Sequence, residues 1–268
     1  MDSSPDDQPK FRLVAEFTAH DGAVRAICVG MQGQLISGGQ DAAAKVWQED
    51  TKMGEAGEEK AGESTGTMYS EAGIALEHSH WVTALCPLEP GILEECPQGG
   101  FITGCLDHEI RVYTHEAVYV KSLKGHTGGV ISFSWTTDDK KLISGSWDGT
   151  AKIWDLAGGA CEETFAGHEN GVCVLGLASG AVATGSTGLK NEADQVVHSR
   201  VRLWARGGAE APLAVLEDHD GPVRHLATVP GLGFASTSND GAVALRTEEG
   251  ERVATLQHPL NLEGHPTF

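Results

Sequence analysis

Residues 124–156 read KGHTGGVISFSWTTDDKKLISGSWDGTAKIWDL. A Gly-His pair opens the stretch. An apolar run, a polar turn, LISGS, an Asp-containing turn and AKIW then follow in order. Short apolar or β-branched runs separated by turn residues predict three strands in succession. ACEETFAGH (160–168) supplies a fourth before the next Gly-His.

The same order recurs along the chain. His20, His80, His126, His168 and His219 stand at the head of successive units, and Asp41, Asp107, Asp148 and Asp240 mark the turns. Four residues before each Asp is a hydroxyl: Ser37, Thr103, Ser144 and Ser236. Six residues after each Asp come Trp47, Tyr113, Trp154 and Arg246. One unit departs from the register. Thr184 and Trp204 hold their places there, but TGLKNEADQVV (187–197) separates them and His198 falls where the Asp is expected.

These spacings resemble the WD40 repeat, whose unit is a four-stranded propeller blade. The resemblance runs over roughly residues 11–257. It implies an all-β propeller of about five blades plus one spare N-terminal strand, an incomplete version of a ring that most often holds about seven. A compact five-blade closure is the alternative. By the same resemblance, the His, Ser/Thr, Asp and Trp of a unit form one buried hydrogen-bonded network. Its carboxylate accepts, its imidazole donates and accepts, its hydroxyl relays and its indole N–H donates. The His20, Ser37, Asp41, Trp47 set and the His126, Ser144, Asp148, Trp154 set are complete. His80, Thr103, Asp107 and His219, Ser236, Asp240 are degenerate sets, with Tyr113 and Arg246 in the Trp place, and His168, Thr184, Trp204 lacks the Asp. A Ser–His–Asp triad invites a nucleophilic reading. Its recurrence once per unit instead points to structure, so no catalytic residue is assigned. No metal site is assigned either, because each histidine belongs to a different unit.

Composition narrows the function. The chain has 268 residues, with Lys plus Arg at 19, Asp plus Glu at 38 and a net charge of −19. That balance repels phosphate backbones and anionic bilayers, which argues against nucleic-acid and membrane partners. No apolar run reaches the ~18 residues of a membrane span. The 35 glycines fall between apolar runs, where turns belong. The six cysteines show no CxxC spacing, and reduced thiols in a cytoplasmic or nuclear protein account for them. No cofactor motif is present.

Residues 1–9 are expected as a disordered tail and 10–257 as the propeller, with 10–18 as the spare strand. The blades fall at about 20–78, 79–123, 124–166, 167–217 and 218–257. The acidic, Gly-rich stretch 48–73 is expected to be an unstructured insertion. Shorter insertions lie near 88–99 and 187–198. Residues 258–268 read as a tail or the start of a further blade.

A closer resemblance rests on FRLVAEFTAHDGAVRAI (11–27), HSHWVTALCPL (78–88), GGFITGCLDHEIRVY (99–113), SLKGHTGGV (122–130), LISGSWDGTAKIW (142–154) and STSNDGAVALR (236–246). These runs are similar to the N-terminal propeller of the phospholipase A-2-activating protein family, a ubiquitin-binding adaptor family of the AAA segregase and proteasome pathway. The resemblance implies ubiquitin as a partner. Segregase docking belongs to domains of that family that these residues do not match, so it is not carried over. Lipase chemistry has no support, since no GxSxG is present.

Propellers commonly bind through the face bearing the Asp turns. Arg25, Trp81, Trp147 and Arg224 are the candidate partner-binding residues there. Trp147 and Trp81 are open to a second reading as packing residues. Arg25 and Arg224 are open to a reading as local partners of Asp21 and Asp220.

Overall fold

The computed structural model describes residues 16–49, 69–187, 199–207 and 211–257. They form twenty strands and, among the described residues, no helix. The first sheet is β1 (Val24–Val29), β2 (Leu35–Gly39), β3 (Ala44–Glu49) and β4 (Tyr69–Ala75). The second is β5 (Val82–Leu88), β6 (Gly100–Cys105), β7 (Ile110–Thr114) and β8 (Tyr119–Leu123). The third is β9 (Val130–Trp135), β10 (Leu142–Ser146), β11 (Ala151–Asp155) and β12 (Ala160–Phe165). The fourth is β13 (Val172–Gly176), β14 (Val182–Ser186), β15 (Val201–Trp204) and β16 (Ala214–Leu216). The fifth is β17 (Val223–Val229), β18 (Gly233–Ser238), β19 (Ala242–Thr247) and β20 (Arg252–Gln257). Each sheet is an antiparallel meander with its strands side by side in chain order.

Alternation along the strands builds two apolar faces per sheet. Ile36 and Val46 of the first sheet meet Val82, Phe101 and Tyr113 of the second. Ile102 and Val112 meet Val130, Leu142 and Trp154 of the third. Ile143 and Ile153 meet Val172, Val182 and Trp204 of the fourth. Ala183 and Leu203 meet Val223 and Phe234 of the fifth. The first strands pack in series, β1 on β5, β5 on β9, β9 on β13 and β13 on β17.

Close approach at this seam depends on one glycine per sheet. A Cβ at Gly38 would lie 2.6 Å from Val82 Cγ1, at Gly104 2.8 Å from Val130 Cγ1, and at Gly185 2.7 Å from Val223 Cγ1. At Gly145 it would collide with the carbonyl oxygen of Val172. Real Cβ atoms do not stand this close, so the hydroxyl-Gly pair in Ser37-Gly38, Thr103-Gly104, Ser144-Gly145 and Thr184-Gly185 is a packing requirement. In the fifth sheet the matching residue after Ser236 is Thr237.

The two ends of the series differ from its middle. Val82, Val130, Val172 and Val223 are 0% exposed, whereas their counterpart Val24 is 49% exposed. Ile27 beside it is 63% exposed. Among the described residues, no strand of the fifth sheet packs on the first as successive sheets pack on one another. The five sheets of the described residues therefore form an open arc.

Several expectations need adjustment. Glu16–Thr18 carry no strand, and the rest of the expected N-terminal strand, 10–15, lies outside the described residues. Both ends of the acidic segment expected at 48–73 are strand. Gln48 and Glu49 end β3, and Tyr69–Gly73 belong to β4, where Tyr69 pairs with Glu49 and Ile74 with Lys45. Phe17 lies 4.8 Å from the Trp47 ring and 5.7 Å from that of Tyr69, which ties this outer edge down. Residues 50–68, 1–9 and 258–268 lie outside the described residues. The loop near 88–99 tucks Leu93 and Cys96 into the core between the second and third sheets.

A methyl group at Gly145 must push Val172 away through its backbone. Gly145→Ala should therefore cost about 1–3 kcal/mol. Thr237→Ala, at the matching position with no sheet against it, should stay within about 0.5 kcal/mol. Urea denaturation of both variants checks the pair.

Candidate functional site

At the centre of the third sheet, Trp154 Nε1 donates to Ser144 Oγ at 2.8 Å. Ser144 Oγ and His126 Nε2 are 2.7 Å apart, and His126 Nδ1 lies 2.8 Å from Asp148. With an ionised Asp148 the chain runs one way: indole N–H to hydroxyl oxygen, hydroxyl to Nε2, Nδ1–H to carboxylate. The first sheet repeats it with Trp47, Ser37, His20 and Asp41, each link at 2.8 Å. Asp148 also accepts from the N–H groups of Thr127 and Thr150, so it staples the loop before β9 to the turn after β10. Burial pushes its carboxyl up, but the bonds from His126, Thr150 and Thr127 outweigh this and hold it well below the ordinary carboxylate range.

The other sheets depart in ways set by arginine. In the second sheet the ring at the centre is His78, not His80: His78 Nε2 lies 2.8 Å from Thr103 Oγ1. His78 stands four residues before Val82, the spacing at which His20, His126, His168 and His219 precede Val24, Val130, Val172 and Val223. That spacing is the signal that identifies it. His80 accepts from the Trp81 N–H instead. Arg111 claims Asp107 with two contacts, at 3.0 and 2.9 Å, which leaves His78 Nδ1 buried without a partner. In the fourth sheet Arg202 donates to His168 Nδ1 at 2.6 Å. The proton must then sit on Nε2, which faces Thr184 Oγ1 at 2.7 Å, so the direction of the chain reverses. Trp204 Nε1 still donates to Thr184, at 2.8 Å. His198 lies outside the described residues. In the fifth sheet His219 links Ser236 and Asp240, while Arg246 turns away to Asp218 and the Gly250 carbonyl.

Three of the four candidate docking residues, Arg25, Trp147 and Arg224 but not Trp81, line one cavity of about 520 Å³ between the first strands. Its wall includes Arg25, Thr83, Ile131, Cys173 and Arg224, the residue after the seam valine in every sheet. The ladder shifts register around Arg25, Thr83, Ile131 and Arg224. A bulge there leaves the residue unpaired and re-aims its side chain. Gln40, Leu106, Trp147 and Asn239 precede the four Asp turns, Thr187 holds the matching place in the fourth sheet, and Trp147 and Thr187 reach the cavity. In chain order, the N–H groups of these five residues donate to the carbonyls of Ala23, Trp81, Gly129, Gly171 and Pro222, just before each seam valine.

Trp147 packs on its neighbour and is also open to solvent. Its ring edge lies against Gly171 of the next sheet, where a Cβ would stand 2.6 Å from Cδ1, yet the residue is 56% exposed. Trp81 is half-buried, and the Arg25 guanidinium lies 5.1 Å from the centre of its ring. Arg25 does not pair with Asp21, nor Arg224 with Asp220. Arg25 Nε donates to the Gln40 side-chain oxygen at 3.1 Å, with the amide turned to satisfy both groups. Arg224 Nε donates to Asn239 Oδ1 at 2.9 Å. Among the described residues no group of three or more His, Cys, Asp or Glu could hold a metal ion.

The family model described as WD domain, G-beta repeat, matches residues 11–48 and 117–155. The chain carries WD40 repeats. The crystal structure of the WD40 β-propeller domain of Doa1 superposes with a TM-score of 0.67 at 23% identity, over 97% of this chain and 74% of that one. This likeness establishes the WD40 propeller fold. A ribosome biogenesis protein WDR12 homolog of Drosophila persimilis is 27% identical over 158 residues, 54% of this chain and 36% of its own. Its counterpart in Chlamydomonas reinhardtii is 26% identical over 293 residues, 95% of this chain and 59% of its own. WD repeat-containing protein pop1 of Schizosaccharomyces pombe is 34% identical over 79 residues, 29% of this chain and 10% of its own. The chain thus spans 36%, 59% and 10% of the length of these three curated relatives.

Two stability predictions follow from the polar centres of the WD40 units. Asp148→Ala strips His126 Nδ1 and two backbone donors of their acceptor and should cost about 1–3 kcal/mol. An unchanged melting temperature would count against the network. Burial, with Arg111 or Arg202 nearby, lowers His78 from 6.5 to about 4 and His168 from 6.5 to about 3. Both rings bind protons more readily unfolded than folded. The stability from keeping them neutral is therefore full above about pH 6.5 and is lost as pH falls toward the folded values, at about 1.4 kcal/mol per group per pH unit. Denaturant melts between about pH 7.5 and pH 5 should show the decline, and His168→Gln should flatten its slope.

Proposed function

We propose that this chain is a non-catalytic protein-docking platform whose partners seat on the Asp-turn face, around the cavity mouth. The observation that carries this reading is the convergence of Trp147, Arg25 and Arg224 on one rim. An exposed aromatic flanked by arginines is the composition of an interface anchor. The Ser–His–Asp sets offer no rival. Ser37, Ser144 and Ser236 are at most 2% exposed, and each hydroxyl already engages a ring nitrogen, so none can reach a substrate. The six thiols are free. Together with relatives named for ribosome biogenesis, this favours a reducing compartment, nuclear or cytoplasmic.

The sequence runs shared with the phospholipase A-2-activating protein family favour ubiquitin as a specific partner. The chain's net charge of −19, carried outside the arginine-lined mouth, suits the basic surround of ubiquitin's apolar face. Titrating labelled ubiquitin with the folded chain tests this second reading. Shifts at high micromolar concentration support it, and their absence removes ubiquitin while leaving the platform.

The platform itself is tested by quantitative capture of partners on the wild type, on Trp147→Asp and on Val118→Asp, an exposed residue just before β8. Binding should fall about tenfold or more for Trp147→Asp, as for a central anchor, and persist for Val118→Asp. The reverse pattern contradicts the docking face.

A further inference from the structure

The cavity mouth has an unusual charge for this chain. Asp and Glu number 38 in the sequence against 19 Lys and Arg. Yet the cavity lining holds Arg25, Arg224 and His225 and no carboxylate. Among the described residues neither arginine forms an ion pair. Each is oriented by a neutral group, Gln40 and the Trp81 ring for Arg25, Asn239 for Arg224. An amide oxygen fixes a guanidinium without cancelling its charge, and the other N–H groups stay available. The carboxylates that follow Gln40 and Asn239 in sequence are already used. Asp41 and Asp240 accept from His20 and His219 and from the N–H groups of Asp21 and Asp220. The wall between the arginines carries Thr83, Ser132 and Thr187, with Ile131 and the exposed indole of Trp147.

We propose that this mouth binds an acidic peptide segment of a partner protein, Arg25 and Arg224 each taking a carboxylate and Trp147 covering an apolar side chain. The proposal rests on the docking reading above and names the chemistry of the partner at that face. Guanidinium and carboxylate form paired, charge-assisted hydrogen bonds, which fix register as well as strengthen binding. The negative remainder of the chain would disfavour acidic segments everywhere else, so the two arginines also select where the segment lands. Both arginines occupy bulges on exposed strand edges, so substituting them removes no core contact.

A positional-scanning library of dodecapeptides, panned on the full chain, supplies the probe. Acidic residues should be enriched on both sides of an aromatic or branched aliphatic position. The selected peptide should bind Arg25→Gln/Arg224→Gln about tenfold or more weakly, lose as much when its own Glu residues become Gln, and weaken as salt rises. Unchanged melting temperatures establish that the variants remain folded. Selected peptides without acidic enrichment, or with equal affinity for the double variant, overturn the proposal. Partner capture that is lost in Trp147→Asp but survives both arginine substitutions also overturns it, and in that case the docking reading stands.

Discussion

The contact between a glycine on one sheet and a valine on the next sets the geometry of the whole arc. With no Cβ at Gly38, Gly104, Gly145 or Gly185, the first strand of the following sheet comes within van der Waals reach of the preceding sheet's second strand. The seam valines are then fully buried, and the apolar faces of successive sheets close into continuous cores. Pinning the valine has a second effect. The residue after it cannot share the seam, and in most sheets a bulge turns it inward. The same constraint that spaces the sheets thus determines which residues line the cavity, and so which residues the proposed docking face presents.

The polar centres work within each sheet rather than between sheets. One hydroxyl, nearly inaccessible to water, holds the indole of β3, β11 or β15 and the ring of the histidine that precedes the first strand. Where a carboxylate completes the set, the loop before the first strand and the turn after the second are tied together. Arg111, Arg202 and Arg246 each take over part of that arrangement. The consequence is chemical: His78 and His168 are held neutral by burial and a nearby cation, while the architecture of the sheet is kept. A buried network tolerates such exchange only while its members find other partners. The unpartnered His78 Nδ1 marks the weakest centre.

Much of the fold was legible because it repeats. Spacings shared among several units locate the strands, the turns and the hydroxyl–indole pairs without any tertiary information. His80 does not hold the central place, because His78 keeps the four-residue spacing to Val82 that the other central histidines keep to their valines. The start of β4 was hidden by the acidic run before it, since Tyr69–Ala75 becomes a strand only through pairing with β3 and contact of Tyr69 with Phe17. Arg25, Trp147 and Arg224 could be nominated from their matching places in the repeats. Their convergence on one cavity, and the amide partners that leave the arginines charged, depend on how sheets far apart in sequence are arranged, which no local spacing encodes.

The central claim is that partners dock at the mouth lined by the bulged residues. The chain's six tryptophans report on it directly. Indole N–H resonances of the ¹⁵N-labelled chain, followed during titration with a captured partner, should move for Trp147 and Trp81 while Trp47, Trp154 and Trp204, each bonded to a buried hydroxyl, stay in place. Saturable binding that leaves the Trp147 resonance unmoved would contradict the account.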